Sequence, residues 1–262
     1  MRLTIVTVVF NELEKLKKTI ASLESYLDQE VELWIIDGSD NRIINDYLLT
    51  LSHRKINWIT EPDKGIYDAM NKGRERANGD YLIYMNAGDA FHSEHGLETI
   101  LEDSRLNDLV VLGYSIEVYG SDKYLRPGLC KEASVFESPS HQATLYPKSF
   151  YKNNIYRLDI HIGADAEYTA RAITSCGAVF VPIIFCEFEL GGLSSNYGLK
   201  SMSLRIRQIY SLGCALKLIV KFIMWNSMPK SLYYRVLASL KYTKVKSELP
   251  PILAKEEIYF SA

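Results

Sequence analysis

The sequence predicts an α/β fold: a Rossmann-like mixed, mostly parallel sheet flanked by helices, followed by a helical appendage at the C-terminal end. Three observations predict it. Apolar β-branched runs alternate with segments of helical periodicity over residues 3–85, short polar turns follow each run, and one late stretch carries basic residues without acidic ones.

Leu3 to Phe10 is apolar and β-branched throughout, as expected of a parallel strand buried on both faces. Asn11 to Leu27 then places Leu13, Leu16, Ile20, Leu23 and Leu27 at helical spacing. The unit repeats, with strands at Val31–Ile36, Ile56–Thr60 and Tyr81–Met85 and helices at Asn41–Leu51 and Ile66–Ala77. Beyond Asp89 the pattern is mixed, with strands expected at Leu109–Tyr114, Ser115–Tyr119, Thr144–Tyr146 and Ala178–Phe188, and a helix at Ala164–Thr174. Leu199 to Lys246 reads as two helices separated near Asn226–Pro229, since proline disfavours a continuous helix.

With 262 residues, 47% hydrophobic and 24% charged, the chain has material for a sizeable core, and wholesale disorder is excluded. The net charge of −2 hides an asymmetry, because residues 200–247 hold ten Lys/Arg and no Asp/Glu. Cys130, Cys176, Cys186 and Cys214 form no CxxC pair, and the first residues lead into a strand without a cleavage site, so a cytoplasmic chain with reduced thiols is expected. The most apolar late stretch, Leu212 to Trp225, is interrupted by Lys217 and Lys221 and is too short to span a bilayer.

Ligands of parallel sheets bind beyond the carboxyl ends of the strands. Here those places read Asn11-Glu12, Asp37-Gly38-Ser39, Asp63-Lys64-Gly65 and Asn86-Ala87-Gly88-Asp89. Any one of these turns could be a helix cap, but four on one rim suit a ribose and a hard divalent cation. No GxGxxG follows the first strand and no GxxxxGK[ST] occurs anywhere, which argues against a dinucleotide dehydrogenase or a nucleoside triphosphatase.

Thr7-Val8-Val9-Phe10-Asn11-Glu12, Ile36-Asp37-Gly38-Ser39, the thirteen residues from Glu61 to Gly73 (EPDKGIYDAMNKG) and Met85-Asn86-Ala87-Gly88-Asp89 together resemble the family-2 glycosyltransferases. His141-Gln142-Ala143, Gly163-Ala164-Asp165-Ala166-Glu167-Tyr168 with Arg171, and Glu189-Leu190-Gly191-Gly192-Leu193-Ser194 extend the likeness, which is greatest to the bacterial branch that builds cell-surface polysaccharides. The resemblance implies an inverting, nucleotide-sugar-dependent enzyme of GT-A fold. It divides the chain into a catalytic domain over 1–198, with a nucleotide-sugar half at 1–90 and an acceptor half at 91–198, and a basic amphipathic region over 199–262.

Carried onto these positions, the resemblance implies that Thr7, Asn11, Glu12 and Asp37 border the base and ribose, and that Asp63, Lys64 and Asn86 line the nucleotide-sugar site. The family's D-x-D-D run reads Asn86-Ala87-Gly88-Asp89 here, so Asp89 is the one carboxylate left there to hold Mn²⁺ or Mg²⁺. Asp165 is implied as the base that deprotonates the acceptor hydroxyl, with Glu167 in reserve and Ala164 where many members carry an acid. His141, Arg171 and Ser194 are implied contacts of the acceptor or the diphosphate. Asp68 and Lys72, four residues apart, read equally as site residues or as an ion pair. His92 and His95 read as surface, and Gly191-Gly192 as a hinge.

The expected partners are a nucleoside-diphosphate sugar donor, a glycan or polyprenyl-linked acceptor, and an anionic membrane surface that attracts the basic helices. That places the protein peripherally on the inner face of the cell membrane; nucleic acid is not expected. Two rivals remain. A non-catalytic sugar-nucleotide or glycan-binding protein is favoured by Asn86 and Gly88, and a nucleotidyltransferase would need a glycine-rich basic loop where this chain has Asn11-Glu12-Leu13-Glu14-Lys15.

Overall fold

The computed structural model describes residues 2–27, 31–51, 55–92, 106, 108–126, 139–190, 212–241, 243–244 and 258–260. The first part is a βα repeat: β1 (Leu3–Val9), α1 (Leu13–Leu23), β2 (Val31–Asp37), α2 (Ile43–Thr50), β3 (Ile56–Thr60), α3 (Ile66–Arg76) and β4 (Tyr81–Asn86). These strands lie in the order β3-β2-β1-β4 and pair in parallel, as the apolar runs predict. β1 is central and every one of its residues is buried.

Two apolar layers follow from the two faces of that sheet. Leu3, Ile5 and Val9 pack with Leu16 and Ile20 of α1 and Ile44 and Leu48 of α2. Val6 and Val8 point the other way, toward Ala69 and Met70 of α3 and the ring of Tyr84. Gly73 lets α3 seat directly on the sheet, because a Cβ there would stand 2.2 Å from Val6 Cγ1.

The second part contains β5 (Ala90–Phe91), β6 (Val110–Tyr119), β7 (Asp122–Arg126), a 3-10 turn at His141–Ala143, β8 (Thr144–Pro147), α4 (Lys148–Tyr151), α5 (Ala164–Cys176) and β9 (Ala178–Glu189). β8 pairs antiparallel with β4 and β6, which joins the two parts of the sheet. The two strands expected at Leu109–Tyr114 and Ser115–Tyr119 are one strand, β6, whose register against β9 slips around Tyr114. Gly113 lies at that slip, and the ring of Phe185 fills the space a Cβ would take, 2.3 Å from it. β7 was not anticipated; it closes a hairpin on β6 through Gly120-Ser121, with Gly120 at φ +59°. Cys176 and Cys186 are free thiols, half-buried and buried respectively.

Past the second part come α6 (Leu212–Ser227) and α7 (Lys230–Lys241), broken at Met228-Pro229 as the sequence predicts. Leu218, Tyr233 and Tyr234 form a small core of their own with Tyr119, Leu190, Met224, Trp225 and Met228. Tyr119 and Tyr234 approach to 4.8 Å between ring centroids, and Arg235 pairs with Asp122 at 3.2 Å. Two short strands, β10 (Thr243–Lys244) on β7 and β11 (Ile258–Phe260) on β9, add antiparallel edges to the sheet. Among the described residues no helix is long and apolar enough to cross a membrane.

Candidate active site

Because β1 to β4 run in parallel, their carboxyl ends share one rim, and backbone bonds lock the turns there to one another. Gly38 donates to Val9 O, Glu61 to Asp37 O and Ala87 to Val8 O, each at 3.0 Å. At the end of β1, Asn11 takes a left-handed backbone (φ 56°), a conformation asparagine tolerates. Its N–H donates to Ser39 Oγ at 2.9 Å, and its Oδ1 accepts from Asn41 Nδ2 at 2.6 Å. Phe10 beside it is exposed. Glu12 is exposed and pairs with Lys15, whereas Thr7 is fully buried in the middle of β1 with an unpartnered hydroxyl.

Asp37 is also fully buried. Its Oδ1 accepts from Ser39 N at 3.0 Å and its Oδ2 from Thr60 Oγ1 at 3.1 Å, so it shapes the rim from beneath. Asp63 stands over Gly38, where a Cβ would come within 1.8 Å of its Oδ2, and its Oδ1 accepts from Gly65 N at 2.8 Å. The Lys64 N–H donates to Asp68 Oδ2 at 3.0 Å. Lys72 Nζ lies 3.0 Å from Glu61 and 3.7 Å from Asp68, so Asp68 and Lys72 make the ion pair that was one of their two readings.

The Asn86–Asp89 turn is clamped onto α1. Gly88 N donates to Thr19 Oγ1 at 2.9 Å, and Thr19 Oγ1 donates to Asp89 O at 2.6 Å. Asp89 is buried; its Oδ2 accepts from Asn86 N at 2.8 Å and from Gln142 Nε2 at 3.2 Å. Burial nevertheless pushes its carboxyl up to about 6, against the lowering effect of those bonds. Asn86 Oδ1 is buried with no partner. A carboxylate short of compensation beside an orphaned amide oxygen fits a hard divalent cation. Among the described residues no three His, Cys, Asp or Glu side chains gather into a metal cluster.

Asp165 lies in the first turn of α5, after Gly163 at φ 87°. Tyr67 OH donates to its Oδ1 at 3.1 Å, and His141 Nδ1 lies 3.2 Å from its Oδ2. Burial would raise this carboxyl, but the bonds and charge of His141 and the bond of Tyr67 outweigh it and bring it down to about 2. Tyr67 in turn is raised, first by burial and then by the charge of Asp165. His141 Nε2 is buried without a partner.

Glu167 is otherwise engaged: Arg171 grips both its oxygens at 3.0 Å and also donates to Asn154 Oδ1 and Ile155 O. That ties the reserve acid Glu167 to Arg171 in a fork along α5. His92 is half-buried and its N–H donates to Phe185 O. Ser194, Gly191, Gly192 and His95 lie outside the described residues. Sequence reasoning gave no role to Tyr67, Gln142 or Thr19. The first two stood inside quoted motifs, which was the available signal; Thr19 gave none.

Residues 4–163 match the profile described as Glycosyl transferase family 2. The chain is 29% identical over 202 residues to an uncharacterized glycosyltransferase of Mycobacterium tuberculosis, an alignment covering 74% of this chain and 77% of that one. It is 24% identical over 204 residues to a PGL/p-HBAD biosynthesis glycosyltransferase of Mycobacterium bovis, covering 73% and 78%. Among solved structures, Staphylococcus aureus TarS 1–349 in complex with UDP-GlcNAc has a TM-score of 0.56 at 13% identity, over 91% of this chain and 71% of that one. A longer TarS structure gives 0.54 at 14% identity, and there the chain spans 45% of its length.

Proposed function

Because the chain belongs to glycosyl transferase family 2 and has the GT-A fold, we propose that it moves a sugar, with inversion, from a nucleoside-diphosphate donor to a hydroxyl of a glycan or polyprenyl-linked acceptor in cell-surface polysaccharide synthesis. The observation that carries this reading is the half-buried Asp165, kept ionised by Tyr67 and by His141, whose chain neighbour Gln142 holds Asp89. In the proposed step Asp165 accepts the proton of the acceptor hydroxyl while the acceptor oxygen bonds to the anomeric carbon. The bond from that carbon to the diphosphate breaks, and its electron pair leaves with the nucleotide.

Asp89 and Asn86 Oδ1 are the groups that would hold Mn²⁺ or Mg²⁺. Bound there, the ion supplies Lewis-acid neutralisation of the leaving diphosphate. On this reading Asp63, Lys64, Asn11, Glu12 and the exposed Phe10 border the nucleotide, while Thr7 and Asp37 support it from below. The PGL/p-HBAD name of one relative supports a cell-envelope acceptor. The UDP-GlcNAc in TarS makes UDP-sugars the first donors to try. The ten basic residues over 200–247 support a peripheral seat on an anionic membrane at its cytoplasmic face.

The test is thermal stabilisation of the purified protein by a panel of nucleoside diphosphates, with Mn²⁺ and with chelator. A ligand at about 100 times its dissociation constant adds about 2.7 kcal/mol. Metal-dependent stabilisation by one base over the others is expected. A flat response to every nucleotide at millimolar concentration defeats the donor reading.

A further inference from the structure

We propose that one face of α6, formed by Leu216, Ile219, Val220 and Ile223, is the surface on which the protein rests against an anionic lipid bilayer. The inference depends on the membrane reading above and names the surface that serves it. These four side chains are 48–57% exposed and recur at i, i+3, i+4 and i+7, which puts them in one stripe along the helix. Leu232 on α7 is a further exposed aliphatic side chain, at 49%. Scattered exposed leucines are ordinary on a protein surface, whereas an aligned set of this length needs a partner.

The opposite side of α6 is already occupied. Leu218 is buried, and Trp225 packs edge-on against Tyr233 with ring centroids 5.1 Å apart. Lys230 Nζ sits 3.7 Å from the centre of the Trp225 ring. Trp225, Tyr233 and Tyr234 therefore turn inward and anchor the helix to the β6–β7 hairpin through Tyr119. What faces outward is aliphatic.

Charge selects the occupant. Ten Lys/Arg and no Asp/Glu lie within residues 200–247, and among them Arg235 pairs with Asp122. A second copy of the chain would set two strongly positive segments against each other. An anionic bilayer takes up both the charge and the aliphatic stripe, the charge at its headgroups and the stripe at the acyl boundary. No described helix can cross the membrane, so α6 lies in the plane of the interface.

The test is flotation of the intact protein with vesicles of phosphatidylglycerol and phosphatidylcholine, and with vesicles of phosphatidylcholine alone, comparing the natural chain with Ile219→Ser/Ile223→Ser. The natural chain should float with the anionic vesicles and keep part of that binding as salt rises. The double variant should bind about tenfold less or weaker still, with its melting temperature, elution volume and nucleotide-dependent stabilisation unchanged. Equal flotation of both proteins overturns the assignment of this face and leaves the membrane reading standing. Failure of the natural chain to float overturns both. A melting temperature lowered in the variant means that the chain itself covers the stripe, and a dimer that dissociates in the variant means that a second copy does; either result overturns the proposal. Nucleotide-dependent stabilisation, read separately, reports on the glycosyltransferase reading alone.

Discussion

Asp89 and Asp165 are held by consecutive residues of one short turn: Gln142 donates to Asp89, and His141 bonds Asp165. Asp89 is buried and Asp165 half-buried, yet Asp89 is pushed up to about 6 and Asp165 down to about 2. Environments that drive two acids apart in this way assign them different work. At Asp89 two hydrogen bonds and the charges of His141 and Lys18 do not offset burial, a deficit a cation would fill, whereas at Asp165 the contacts of His141 and Tyr67 outweigh it and the group remains an anion.

Asp89→Asn should stabilise the metal-free protein at neutral pH. A carboxyl raised from 3.8 to about 6 holds its proton more tightly folded than unfolded, so its contribution is favourable at low pH and is lost as pH rises through that window. At pH 7 the buried charge costs up to about 3 kcal/mol, at about 1.4 per unit. Asparagine avoids this cost, and its amide oxygen can accept both bonds now made to Oδ2. Melting curves from pH 4 to 8 in chelator and in Mn²⁺ check it. Stabilisation by Mn²⁺ should vanish in the variant, and its persistence would falsify the ligand assignment.

Asp165→Asn should keep nucleotide-dependent stabilisation and lose sugar transfer by about 10²–10⁴-fold, the usual weight of a general base. Donor binding measured calorimetrically beside the transfer rate separates the two effects. If affinity falls along with rate, Asp165 belongs to donor binding instead.

Tyr67→Phe and His141→Ala each remove a partner of Asp165, which leaves burial less opposed, so the carboxyl should rise from about 2. The acid limb of the pH–rate profile should move upward in both variants. Tyr67→Phe keeps the ring stacked on Tyr156, 5.4 Å away, so its melting temperature should change little. An acid limb that stays in place would show that Asp165 does not set it.

Gly38→Ala places a methyl where Asp63 Oδ2 now stands, 1.8 Å from the new carbon. Asp63 must swing aside and release Gly65 N. Donor affinity should weaken by about tenfold, about 1.4 kcal/mol, with stability altered by less than about 1 kcal/mol. Calorimetry of nucleotide binding beside a melting curve decides it; unchanged affinity removes Asp63 from the nucleotide site.

The parallel half of the fold was legible because β1 and β4 are buried on both faces, and β2 on one face and most of the other, so they need apolar runs that stand out against the helices between them. β7 was not, since Asp122-Lys123-Tyr124-Leu125-Arg126 has the charge of a loop and becomes a strand only by pairing with β6. In the site, Asp89 and Asp165 could be singled out by type and place. Tyr67 could not be tied to Asp165, because that bond joins residues 98 positions apart, and no local pattern encodes it. Asp37 shows the opposite limit: its turn reads as ligand-facing, but its carboxylate is spent on Ser39 and Thr60.

The pairing of β10 with β7 and of β11 with β9 has a consequence for anyone cutting or grafting this chain. A break introduced before α6 strips strand partners from two edges and uncovers Tyr119, which turns sheet margins into templates for intermolecular pairing. Chimaeras that exchange acceptor preference are better joined within surface loops, with the last strands kept alongside their native neighbours. The late segment closes the sheet as a hem does, and loosening it should appear first as poor solubility of the recombinant product.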